Sequence, residues 1–225
     1  MQPMLWNEIR TLFYKELLLE GRERIALQGL LLYLVSTIMV VYMGFQLKAA
    51  QLTPATWNTL YWIVVLFSAI NAISKSFMQE PAERQLYYYT LSSPQGIILS
   101  KMLYNILLMW VVALLALVIF SVMLNNPVAD MPLFVALALL GSLSFATTLT
   151  LVSGIASKAG NNSTLMAVLS FPIIIPLLLM VVGACKNAVD GLDRSTVYDE
   201  LLIIGALNLL VVTLSLVLFP YIWRN

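Results

Sequence analysis

Six long apolar runs dominate the chain: Ile25–Leu47, Trp57–Ile73, Met102–Leu124, Pro132–Ile155, Thr164–Gly183 and Leu201–Ile222. None contains Asp, Glu, Lys or Arg. A helix crosses the roughly 30 Å hydrocarbon layer with about 20 apolar residues. Five runs reach that length, and the second, with 17 residues, extends into uncharged neighbours. The runs are continuous, whereas a membrane β-barrel alternates in segments of about 10 residues. Backbone polar groups in lipid must be satisfied within the segment, so the runs predict helices. Ahead of them, Leu5, Ile9, Leu12, Phe13 and Leu17 recur at helical spacing, with Glu8, Arg10, Lys15 and Glu20 mostly on other faces. Residues 1–24 therefore predict an interfacial amphipathic helix. Gly21 and the cluster Arg22-Glu23-Arg24 predict a bend before the first span. The expected fold is all-α, a polytopic membrane protein forming one membrane domain over residues 1–225.

Composition agrees. Hydrophobic residues make up 61% of the chain and charged residues 10%, with mean hydropathy +0.91. A soluble domain carries about 25% charged residues. An ordinary cytosolic enzyme, a disordered chain and a disulfide scaffold are all excluded. The chain has no His, a single Cys (Cys185) and a net charge of +1. It thus lacks an imidazole base or ligand, an internal disulfide and the charge for nucleic acid. It also lacks the pattern G-x-x-x-x-G-K-[ST], so any ATP would be bound by another chain. With the N-terminus inside, nine Lys and Arg residues fall on the inner side and three on the outer. That asymmetry predicts both termini in the cytoplasm. Eight charges precede the first span, which is too long for a signal-peptide core, so no cleaved signal is expected.

The soluble segments are short, and the inner segment 74–101, SKSFMQEPAERQLYYYTLSSPQGIILSK, is the most informative. Pro81 can open a helix with Glu83 near its positive end. Leu86, Tyr87, Tyr88, Tyr89 and Leu91 form an aromatic patch beside Glu80 and Arg84. Ser93-Pro94 has the form of an N-cap followed by Pro at the first helical position. Two readings stand for the tyrosines: a headgroup-level belt, or a docking element for a cytosolic partner. The inner turn SGIASKAGNNST carries Gly160 as a helix stop and Asn162 or Ser163 as a cap. Pro172 and Pro176 free the carbonyls four residues back, at Val168 and Pro172, which predicts a kink or a hinge. Ser142, Ser144, Thr147, Thr148, Thr150 and Ser153 in the fourth run predict close helix packing. Thr196-Val197-Tyr198-Asp199 predicts a capping box. Cys185 is expected just beyond the fifth span, exposed and without a chemical role.

The pattern Phe77-x-x-Glu80-x-x-x-Arg84-x-Leu86, then Ser93-Pro94 and Ser100-Lys101, resembles the loop of the cytochrome c maturation protein B family, the heme exporter permease. Residues 154–179, GIASKAGNNSTLMAVLSFPIIIPLLL, are similar to that family's turn and proline-containing fifth span. Glu80 stands where the family often has Asp, and Arg84 where it often has Gly. The layout resembles an ABC exporter type 2-like permease. The resemblance implies a transporter subunit without its own catalysis, a separate ABC ATPase subunit holding ATP, and a heme-handling membrane protein of the same pathway. It also implies residence in the cytoplasmic (inner) membrane and a permease homodimer, with heme as the pathway's substrate rather than a cofactor of this chain. Phe77, Glu80, Glu83, Arg84, Leu86, Tyr87, Tyr88 and Tyr89 would form the ATPase-coupling loop, and Pro172 and Pro176 the helix hinge. A permease for a lipid, drug or polysaccharide, and a non-transporting assembly scaffold, are the alternatives.

Overall fold

The computed structural model describes residues 2–22, 25–48, 52–78, 92–158 and 163–224. Those residues form eight α-helices and one 3-10 turn, without strands. They are α1 (Gln2–Arg22), α2 (Ile25–Lys48), α3 (Pro54–Ile73), the single turn α4 (Lys75–Met78), α5 (Pro94–Met123), α6 (Met131–Lys158), α7 (Ser163–Asp190), the 3-10 turn Arg194–Val197 and α8 (Tyr198–Arg224). Six of them are long and apolar enough to cross a membrane. The chain is an all-α, multi-pass membrane protein. We call the two ends of the bundle the Lys101 end, where α3 finishes and α5 starts, and the Trp57 end.

Helix α6 is the axis. In its apolar stretch 72% of residues are buried, against 17% in α2. From Ser144 to Gly154 every residue is buried, so neighbours cover all sides of three turns. Small side chains permit this, because they let backbones approach where larger ones would hold them apart. At Gly141 an added Cβ would stand 2.5 Å from Trp62 Cη2 and 2.7 Å from Val181 Cγ1. Helices α3, α5, α7 and α8 pack on α6, and α2 lies outside, against α3 and α5. Several hydroxyls on α6 donate to their own helix backbone: Ser144 Oγ to Leu140 O (2.9 Å) and Thr150 Oγ1 to Ala146 O. Asn208 of α8 donates to Ser144 Oγ (2.6 Å) and accepts from Thr147 Oγ1 (3.3 Å). The polar residues of this span thus serve packing, as the sequence predicted.

Aromatic rings fill the Trp57 end. Trp57 stacks on Tyr61 at 5.9 Å and meets Phe120 and Phe134 edge-on at 5.5 and 5.8 Å. Tyr61 donates its hydroxyl to Ala113 O (3.1 Å), tying α3 to α5. The connection to α6 is latched onto α7: Asp130 N donates to Ala188 O (2.9 Å), and Arg194 grips the Asp130 carboxylate through Nε (2.8 Å) and Nη2 (3.1 Å). Those bonds, with the Leu133 N–H, hold the Asp130 carboxyl below its usual value.

Three expectations are corrected here. Helix α7 does not stop at Gly183; it continues to Asp190 and closes with Gly191 at φ +68 and Leu192 N donating to Asn187 O (3.0 Å). This left-handed glycine closure is a common helix stop. Cys185 therefore lies within the helix, wholly buried, rather than exposed in a loop. A membrane-impermeant thiol reagent is expected to leave Cys185 unlabelled in the folded chain and to label it after denaturation; labelling of the native protein would contradict this packing. Thr196 does not form a capping box: its hydroxyl donates to Asp193 O (2.7 Å) within the 3-10 turn, which runs straight into α8. Helix α5 starts at Pro94, as Ser93-Pro94 predicts, so about two helical turns precede its apolar run.

Candidate functional site

At the Lys101 end, α5 opens as its sequence dictates. Ser93 is the N-cap, with extended backbone, its Oγ accepting from Gly96 N (3.1 Å) and Pro94 in the first turn. A second group completes the cap. Glu8 of α1 accepts from Ser93 N through Oε1 and from Ser93 Oγ through Oε2 (3.0 Å). A carboxylate suits the positive end of a helix. Glycine is needed at 96 for this approach, since an added Cβ would stand 2.7 Å from Glu8 Oε1.

Two turns further along, Lys101 is buried to 3% exposure. A buried ammonium requires partners. It donates to Ser76 O (2.7 Å) and Glu16 Oε1 (3.3 Å), and lies 4.9 Å from the centre of the Phe77 ring. Lys15 Nζ pairs with the same Glu16 oxygen at 2.8 Å. Burial opposes ionisation of Glu16, but the charges of Lys101 and Lys15 and their hydrogen bonds outweigh it and hold the carboxyl below its ordinary value. Asn105, one turn on, donates to Ser76 Oγ (3.2 Å) and Thr150 Oγ1 (2.8 Å), and Ser153 Oγ donates to Ser74 O (3.3 Å). The α3–α4 junction is therefore pinned to both α5 and α6.

Phe77 closes the cluster from beneath. It is buried at 1% exposure and 5.5 Å from Phe219, which stacks on Trp223 at 5.4 Å. Lys158 lies over the Trp223 ring at 4.9 Å and donates to Trp223 O (3.3 Å). Gly154 makes room, since its Cβ would stand 3.0 Å from the Phe219 ring.

Of the residues expected to form the coupling loop, Phe77 is described, and its ring is buried in the core. Glu80, Glu83, Arg84, Leu86, Tyr87, Tyr88 and Tyr89 lie outside the described residues, as do Gly160 and Asn162. Pro172 and Pro176 fall within the helix α7, and both are exposed on its outer face. Sequence reasoning missed the ladder of Glu8, Glu16 and Lys101. The apolar spacing puts Glu8 mostly off the stripe and says nothing of Glu16, yet both share the covered face with Ile9 and Leu12, while Leu17 is exposed.

The family model for CcmB protein matches residues 7–222, almost the entire chain. The chain belongs to the CcmB protein family. No curated protein matches it at a significant level. As a CcmB family member it is a multi-pass membrane protein of heme transport and c-type cytochrome biogenesis, a permease component rather than a catalyst. The matched range contains every residue of the ladder, Glu8, Ser76, Ser93 and Lys101 included.

Proposed function

We propose that this CcmB family chain is the membrane permease subunit of an ABC transporter, exporting or delivering heme for cytochrome c maturation and driven by a separate ATPase that docks on residues 77–91. The observation that carries this reading is the anchoring on either side of that segment. Ser76 is held by Lys101 and Asn105, and Ser93 by Glu8. A segment with no phosphate-binding loop of its own, tied at both ends to the bundle and rich in aromatics and charge, suits an energy-input contact. Family membership supports the heme pathway and residence in the inner membrane, and the nine-to-three Lys and Arg split supports both termini in the cytoplasm. A permease homodimer, with a heme-handling membrane protein alongside, completes the proposed assembly. The exposed face of α1, with Trp6, Tyr14, Leu17 and Leu18, fits the headgroup interface next to the first span.

The experiment is co-purification of the cognate ATPase with the full chain. The wild-type chain is expected to recover the ATPase, and Glu80→Ala combined with Tyr88→Ala to reduce recovery about tenfold with membrane insertion intact, because few interface residues carry most of the binding energy. Equal recovery, with equal stimulation of ATP hydrolysis, would leave the tyrosines as headgroup anchors and overturn the docking assignment.

A further inference from the structure

Helix α1 is joined to the bundle by more than its link to α2. Its contacts on α5 keep one register: Glu8 meets Ser93 and Glu16 meets Lys101, both 85 residues apart, and Glu20 faces Tyr104. Eight residues along α1 thus match eight along α5. At 1.5 Å per residue, the two helices run side by side in the same direction for about 12 Å. The pairing is polar at each step, and one step, Glu16 with Lys101, is a charge pair whose ammonium is buried and whose carboxylate is partly buried. For holding an apolar helix against a membrane surface none of this is required. Ile9 and Leu12 alone, or the exposed stripe with Trp6 and Leu18, would do that.

What the ladder does accomplish is specific. Lys101 binds the carbonyl of Ser76, on one side of the segment 77–91, and the carboxylate of Glu16. Glu8 binds Ser93, on the other side of the same segment. Helix α5 therefore holds both flanks, Ser76 through Lys101 and Asn105 and Ser93 as its own N-cap, and α1 braces α5 at both points. A force on either flank is thus shared by α1 and the first turns of α5. Helix α5 then runs 30 residues, about 45 Å, toward the Trp57 end. There the Ala113 carbonyl accepts from Tyr61 within the aromatic cluster. A contiguous, stiff path thus links the segment to the far side of the bundle.

We propose that Glu8, Glu16 and Lys101 are positioning residues that transmit the ATPase's motion into the membrane bundle, with α1 as a strut and the Glu16–Lys101 pair as its joint. This rests on the reading that residues 77–91 dock an ATPase. Loss of the joint then uncouples rather than undocks: the partner still binds, but its cycle no longer drives the bundle. Lys101→Arg retains a cation for Glu16 and Ser76 O, so it preserves the joint. Glu16→Gln removes the charge while retaining the shape, and it is the milder of the two disruptive changes.

The test uses the full chain with its ATPase, reconstituted in lipid, and reads ATPase recovery and ATP hydrolysis stimulated by the chain. Glu16→Gln and Lys101→Met are each expected to lower stimulated hydrolysis about tenfold, with recovery of the ATPase within about twofold of wild type. The double variant is expected to be no worse than Lys101→Met alone, since that change already removes the Glu16–Lys101 pair. Lys101→Arg is expected to keep stimulation within about threefold of wild type. A double variant whose losses multiply, unchanged stimulation in the single variants, or recovery that falls in step with hydrolysis would each overturn the joint. Should Lys101→Met fail to reach the membrane, Glu16→Gln and Lys101→Arg decide by the same criteria. A wild-type chain that recovers no ATPase would instead overturn the docking reading itself, and the strut with it, so the two failures are distinguishable.

Discussion

Gly141→Leu is expected to destabilise the bundle by about 3 kcal/mol or more, the upper end of what overpacking costs. The position has no room. An added Cβ would stand 2.5 Å from Trp62 Cη2 and 3.0 Å from Cζ3, and 2.7 Å from Val181 Cγ1. Trp62 cannot swing away, because Tyr61 and Phe145 meet its ring edge-on at 5.3 and 5.8 Å and it is fully buried. Val181 is equally enclosed on α7. The strain would therefore separate α6 from α3 and α7 together, at the most crowded point of the central helix. Unfolding of the purified chain in detergent, followed by loss of tryptophan signal with rising denaturant, measures the shift. Gly141→Leu combined with Trp62→Ala is expected to recover part of the loss, since it removes the nearer obstacle. Wild-type stability in Gly141→Leu alone would show that α6 is not packed as described.

Trp57→Ala is the second large effect. The indole is 1% exposed and touches three rings, one stacked and two edge-on. In a water-soluble core, Phe or Trp to Ala costs about 3–5 kcal/mol. In a membrane the unfolded helices already rest in an apolar medium, so the transfer part shrinks and the cavity and lost-contact part remains. A loss of about 3 kcal/mol is expected, at the lower end of the soluble range. The same denaturation assay reads it. Trp57→Phe, which retains much of the ring contact, is expected to lose about half as much. Equal stability of Trp57→Ala and wild type would place Trp57 in lipid rather than in the cluster.

The features that were legible in the sequence share one property: they are set by residues close together in the chain. The six spans follow from run length, because a backbone in lipid must bond within its own segment. The start of α5 followed from Ser93-Pro94, since capping is a contact across three residues, Ser93 Oγ to Gly96 N. The small polar residues of α6 marked a closely packed helix, and the amphipathic spacing of residues 1–24 marked α1 as a helix, although Ile9 and Leu12 are covered by the bundle. Helix ends were less legible. Ser163–Asp190 outruns its apolar run because Lys186 and Asn187 are tolerated in the last turns, and Gly191, not loss of hydropathy, ends the helix.

The site itself depended on tertiary structure. Glu8 with Ser93 and Glu16 with Lys101 are pairs 85 residues apart, and no periodicity within either helix brings them together. A carboxylate at the edge of an amphipathic helix reads as solvent-facing until another helix presents a cation or an uncapped N-terminus to it. Cys185 was misjudged for a related reason. It lies near the end of an apolar run, where sequence suggests exposure, and it is covered within the cluster that includes Trp62, just as Phe77 is covered by Phe219, each by side chains from helices distant in the chain. Local sequence thus determined which segments are helices and which of them cross the membrane. Only the packing of those helices decided which polar groups meet, because the desolvation that forces a buried Lys101 to find Glu16 and Ser76 exists only after α1, α4 and α5 have closed around it.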